Sequence, residues 1–190
     1  LSTPWFRPTS ADAHLETTGL GPFYAGAMHL LRSPSDLLGL LASVLLAGLH
    51  SARAARWAVL ALPLTWLTAG VVGLNLPIGV DLPLLSVLSF VLLGALVAVN
   101  PRLPAGMVAA LAGLYGALHG LLNGSALTAI GAGPLTLSGI AVTVFVFALL
   151  CAAGAASLKA AWTRIALRVA GSWVAAIGML MLGWLVRGTG

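Results

Sequence analysis

The chain has 190 residues, of which 60% are hydrophobic and only 7% charged, with a mean hydropathy of +1.07. A soluble domain carries roughly a quarter charged residues, so this composition excludes a water-covered surface and makes lipid the solvent. The net charge of +5 does not mark a nucleic-acid binder either, because nine basic residues scattered between apolar runs form no binding stripe and read instead as topology determinants.

The chain opens on a polar segment, residues 1–19, that the charge pattern below puts outside the cytoplasm. The first twenty residues, LSTPWFRPTSADAHLETTGL, hold two prolines and no apolar signal core. Leu1 is not a natural start, so a leader is expected to have been removed or to lie outside this chain. A six-span transmembrane domain is expected over 20–187, with a short tail at 188–190. Its fold class is all-α, a polytopic helical bundle, because a span needs roughly 20 apolar residues and six such segments can be marked. The first covers about 21–49 and is broken near Ser33-Pro34. The others cover about 57–74, 82–99, 104–123, 135–158 and 165–186. The connections are short, which implies antiparallel neighbours.

In the first segment, MHLLRSPSDLL places His29, Arg32 and Asp36 within eight residues. Ser33 suits an N-cap, Pro34 the first helical position, and Asp36 the third, where its carboxylate can bond back to the cap and meet the positive end of the helix dipole. A helix over 34–49 is only roughly 24 Å long, short of a 30 Å hydrocarbon core, so residues 21–31 should complete the span as a separate half-helix or re-entrant piece. Broken helices at membrane depth are tolerated where they line a cavity, and there they mark substrate sites. Asp36 is therefore read both as a cap and as a candidate ligand. His50, beside Arg53 in the next turn, reads as solvated, and the His14 side chain in the polar segment carries no assignment.

The fourth segment contains LYGALHGLLNG, where spacing by four sets Tyr115, His119 and Asn123 on one face. A histidine inside a span is costly and should face protein or a polar cavity. The commoner role for such a residue is a satisfied hydrogen-bonding group. Topology, however, puts His29, Asp36, His119 and Asn123 all toward the outer half of the membrane, as one candidate site. Gly116, Gly120 and Gly124 recur on a helical stripe, Gly171 and Ala175 repeat the device in the sixth segment, and the fifth holds CAAGAAS. Such small residues imply close helix contact. Cys151 is the single cysteine, which excludes an internal disulfide, and it reads as a packing residue.

Charge sets the orientation. Arg53, Arg56, Arg102, Lys159, Arg164 and Arg168 fall at one end, and Arg7, Arg32 and Arg187 at the other, together with Asp12, Glu16, Asp36 and Asp81. The positive-inside rule then puts both termini outside the cytoplasm, with the chain in a bacterial inner membrane. Soluble-enzyme motifs are absent: no phosphate loop, no Ser-His-Asp constellation and no cysteine pair, so no enzyme is expected. Haem ligation by His29 and His119 is the weaker alternative, since cytochrome pairs sit deeper in a bundle.

The "AH" before the first span, GLGPFYAGAMHLLRSPSDLLGLLASVLLAGL through it, and AALAGLYGALHGLLNG in the fourth together resemble the HupE/UreJ family of membrane proteins, associated with nickel supply to hydrogenase and urease. The likeness covers about 13–187. It implies a signal peptide, six spans, a His-Pro-x-x-Gly-x-Asp-His motif in the first span and His-Gly-x-x-His in the fourth. Here His29 stands at the first histidine of that motif, while Leu30 replaces the proline and Ser33 the glycine. Ser35 takes the aspartate's place and Asp36 that of the second histidine. In the fourth span His119 and Gly120 match, and Asn123 replaces the second histidine. The resemblance implies a divalent ion of nickel or cobalt type, held by His29, Asp36, His119 and Asn123. Two histidines thus persist, and imidazole is the donor such ions favour over amide oxygen. Two functions follow: binding or transport of that ion across the membrane, or a degenerate relative serving as a non-catalytic accessory subunit of a larger membrane complex. The Trp5-Phe6 extension and the eroded motif suit the second. The bilayer is the expected partner in either case, with further membrane subunits in the second.

The topology is testable directly. Cysteines introduced at Ser51 and Thr128, in a Cys151→Ser background, should label from opposite sides of the membrane. Labelling of both from one side contradicts the six-span arrangement.

Overall fold

A computed structural model describes residues 20–76, 80, 82–158 and 160–188. Trp5, Phe6, Arg7, Asp12, His14, Glu16, Asp81 and Lys159 lie outside the described residues, as does the whole of the expected 1–19 segment. Of the expected tail only Gly188 is described, as the last residue of a helix.

Proline starts much of the secondary structure. It occupies the first position of α1 (Pro22–Arg32), α2 (Pro34–His50), α4 (Pro83–Val99) and α6 (Pro134–Ser157), where its missing N–H has no intrahelical partner to lose. The remaining helices are α3 (Ala52–Leu74), α5 (Ala105–Ala129) and α7 (Ala161–Gly188). Helices α3, α5, α6 and α7 are each long and apolar enough to cross a membrane, and α1 with α2 passes the same test as one broken unit. The 17-residue α4 is apolar but shorter, about 26 Å, at the lower limit for a span. The described chain is therefore an all-α, multi-pass membrane bundle close to the six-span expectation. Leu64, Leu150 and Leu180 leave more than half their surface uncovered by protein, which in this setting faces lipid.

Several helices run beyond the apolar segments. Ser51 caps α3, its side chain accepting from the Ala54 N–H at 3.1 Å, so the helix begins five residues early and carries Arg53 and Arg56 in its first turns. Helix α5 continues past Asn123 to Ala129, because the polar residues there are internally bonded: Ser125 reaches the Leu122 and Val80 carbonyls.

The break in the first unit falls where the sequence puts it. Pro34 disfavours helical geometry at the preceding residue, and Ser33 is extended at φ −96°, ψ 92°. The axes of α1 and α2 consequently differ by 77°. The expected capping box does not form. The Ser33 N–H bonds the Leu30 carbonyl at 3.1 Å, closing α1, so it is not available to Asp36, whose contact with Ser33 is through the side chain, and the Ser33 side chain accepts no cap bond. Asp36 is free to point into the bundle.

Glycine brings the helices close. A methyl at Gly116, Gly120 or Gly124 of α5 would overlap the α3 backbone at Leu62, Trp66 or Gly70. Gly94 on α4 and Gly171 with Ala175 on α7 meet in the same way, whereas Gly154, in the CAAGAAS stretch, touches nothing and contributes no such contact. Gly26 of α1 lies on the Thr136 carbonyl and Gly139 of α6 on the Phe23 carbonyl, a reciprocal approach that seats α1 against α6. Cys151 is half-buried and packs on the core. His50 is not solvated as expected: its ring nitrogens lie 2.7 Å from the Leu46 and Pro101 carbonyl oxygens, tying the end of α2 to the α4–α5 connection.

Gly120→Leu should lower the melting temperature in detergent, since overpacking costs about 1–3 kcal/mol and the obstacle here is backbone. Ala110→Leu, at an exposed position of the same helix, is the control. Equal tolerance at both positions contradicts the α3–α5 contact.

Candidate functional site

The four residues singled out in the sequence meet in one hydrogen-bonded cluster. His29 comes from the last turn of α1, Asp36 from the first turn of α2, and His119 with Asn123 from one face of α5. Asp36 is 6% exposed and His119 1%, Asn123 is buried and His29 half-buried. His119 donates from Nδ1 to Asp36 Oδ1 at 2.7 Å, and Asn123 donates from Nδ2 to Asp36 Oδ2 at 3.2 Å and to the His119 carbonyl at 2.8 Å. Those two bonds fix the amide orientation. Asn123 Oδ1 must then accept from His29 Nε2, 3.1 Å away, so Nδ1 is the His29 nitrogen that no cluster bond engages.

Two residues that the sequence did not single out as ligands complete the surroundings. Ser89 on α4 lies 3.0 Å from His119 Nε2 and 2.6 Å from the Ser86 carbonyl. Its hydroxyl has one hydrogen and two acceptors within reach. When that hydrogen goes to Ser86, the Nε2 lone pair of neutral His119 faces an oxygen, a position that a cation would bridge. The signal for Ser89 in the sequence is only two hydroxyls three residues apart in an apolar span. Trp66 on α3 is the second: its ring centroid lies 5.9 Å from that of His119 and 6.1 Å from that of Tyr115. Among the described residues, its Nε1 is the buried side-chain polar atom left without a partner.

Tyr115, already expected on the His119 face, stacks on that ring at 4.1 Å between centroids and donates its hydroxyl to the Asp36 carbonyl at 2.9 Å. Gly39 makes this possible, because a side chain there would overlap the Tyr115 ring. A cavity of about 380 Å³ lies beside the cluster, lined in part by Asp36, Ser86, His119 and Asn123.

The donor set can be tested against an ion. Among the described residues no group of three or more His, Cys, Asp or Glu side chains stands ready to hold a metal. Each Asp36 oxygen accepts a hydrogen bond from α5 and keeps a second lone pair, so the carboxylate orients His119 and Asn123. The ring nitrogens not bonded to Asp36 or Asn123 are His119 Nε2, which has the Ser89 hydroxyl at 3.0 Å, and His29 Nδ1. A hydrogen-bonded carboxylate behind a ligating imidazole is the usual way a metal-binding histidine is held in its tautomer. Such a set does not fit a tightly bound structural ion.

A family model described as HupE / UreJ protein matches residues 5–181, nearly the whole chain. Comparison with curated proteins and with solved structures finds no match.

Asp36→Ala would strand the His119 and Asn123 donors in a buried site, at about 1–3 kcal/mol for each unsatisfied group. The expected order of melting temperature is wild type, then Asp36→Asn, which keeps one acceptor oxygen, then Asp36→Ala. Identical melting of all three contradicts the network.

Proposed function

The chain belongs to the HupE/UreJ family, and on that premise we propose that it binds a divalent transition-metal ion of nickel or cobalt type at the His29–Asp36–His119–Asn123 cluster and passes it across the membrane. One observation carries this reading: two imidazoles from opposite halves of the fold are oriented by one hydrogen-bonded cluster, His119 lining a cavity and His29 tied to it through Asn123, in an otherwise apolar bundle. Ionisable side chains inside a membrane are costly and mark ion pathways. Imidazole suits nickel and cobalt, and a short donor list suits cargo that must leave as readily as it enters. The break at Ser33 places the site where α1 and α2 diverge, the arrangement in which broken helices coordinate substrates. The basic side chains gathered at the opposite end put that end in the cytoplasm of an inner membrane, so the cluster faces outward.

An accessory-subunit role is the second reading, and α7 favours it. Only 17% of its apolar window is buried within the chain, against 39% for α3, α5 and α6. Trp162, Trp173 and Trp184 are all more than two-thirds exposed. The outer two are about 33 Å apart and suit the two interfaces, but Trp173 falls midway, at a depth where tryptophan gains from a protein neighbour.

The readings separate by titration of nickel, cobalt, copper and zinc against the purified protein, with melting and bound metal measured together. For one site the stabilisation grows as RT ln(1 + [L]/Kd), about 2.7 kcal/mol at a hundredfold excess over Kd. His29→Ala and His119→Ala should each abolish it, and should abolish ion uptake into proteoliposomes. If no ion shifts melting at millimolar concentration and both variants match wild type, the transport reading fails, and co-purification of an intact complex from native membranes becomes the expectation.

A further inference from the structure

The opposite end of the bundle holds a second polar cavity, about 480 Å³, lined by Leu49, His50, Asn100, Pro101, Arg102 and Arg164. It forms where the end of α2, the α4–α5 connection and the start of α7 come together. Its polar side chains include two guanidinium groups. Two of its carbonyls are already engaged: Leu49 accepts from Arg164 Nη2 at 3.0 Å, and Pro101 from His50. Arg164 therefore keeps further N–H groups of its guanidinium, and Arg102 is exposed and forms no hydrogen bond or ion pair among the described residues. Asn100, in the left-handed region at φ 51°, ends α4 and adds an amide to the rim. No described acidic side chain neutralises this charge, since Asp36 starts the helix that His50 ends, about 21 Å away.

We propose that this cavity binds the phosphate group of an anionic glycerophospholipid. Two guanidinium groups converging on this pocket call for an acceptor-only anion with several oxygens, which a phosphodiester supplies. The lipid source, rather than free phosphate, follows from what surrounds the pocket. Trp57 and the 70%-exposed Trp162 stand at the same end, with Arg53 lying 4.8 Å over the Trp57 ring, which marks the headgroup level. Val99, immediately before Asn100, and Leu158 expose apolar surface for acyl chains. Basic pockets between helices at a cytoplasmic membrane face meet a leaflet rich in such anions. A phosphate seated there would hold three connections together and offset the repulsion between Arg102 and Arg164.

The test uses the whole protein in phosphatidylcholine nanodiscs, with phosphatidylglycerol added stepwise and retained lipid counted by native mass spectrometry. Phosphatidylglycerol should be retained and should raise the melting temperature. Arg102→Gln should weaken retention about fivefold, and the Arg102→Gln/Arg164→Gln pair by that factor again. Arg102 has no hydrogen-bond or ion-pair partner to lose among the described residues, so its variant stays informative if the double variant folds poorly. Inorganic phosphate at equal concentration should give no protection, and equal protection would overturn the lipid assignment. Arg187→Gln, at the other end of the bundle, should leave retention unchanged. Retention lost equally there, or unchanged in Arg102→Gln, would also overturn the proposal.

Discussion

Asp36 accepts from His119 at 2.7 Å inside a bundle whose other buried side chains are largely apolar, and much of the fold arranges itself around that bond. Lipid offers no water to solvate a stray carboxylate, so the two groups must find each other or leave the membrane interior. What positions Asp36 is local. Pro34 breaks the helix, Ser33 gives its N–H to α1, and Asp36 is left at the start of α2 with both oxygens pointing at α5.

Close packing converts that local event into a site. Apolar side chains gain little by leaving lipid for one another, so the helices are held by backbone approach at small residues. The α5 glycines seat α5 on α3, which brings Trp66 against the His119 and Tyr115 rings. The reciprocal Gly26 and Gly139 contacts hold α1 on α6, and α1 carries His29 to Asn123. The same residues that pack the bundle therefore set the distances in the cluster. The opposite end is built differently, from arginine and histidine side chains satisfying the open carbonyls of helix ends.

Much of this was legible in the sequence, for identifiable reasons. The break at Ser33-Pro34 follows from proline stereochemistry alone, and the i, i+4 spacing of Tyr115, His119 and Asn123 fixed their common face. Convergence of the four polar residues followed from topology, because polar groups in lipid have few places to go. Other features were not legible. The capping role of Asp36 failed because whether the Ser33 N–H is free depends on how α1 ends. His50 was misread because its partner carbonyl at Pro101 is 51 residues away. Ser89 is one of two hydroxyls in an apolar helix, and nothing near it in sequence pointed to His119. The starts of α3 and α7 run into charged residues that hydropathy discounts but helix propensity accepts.

The proposed ion site is tested most directly by X-ray absorption on the protein incubated with nickel, which reads the ligands themselves. Two oriented imidazoles predict multiple scattering from about two histidine rings in the wild type, falling by one ring in His29→Ala and in His119→Ala, with the rest of the shell made of oxygen. A spectrum with no imidazole contribution, or one unchanged in both variants, would contradict the account.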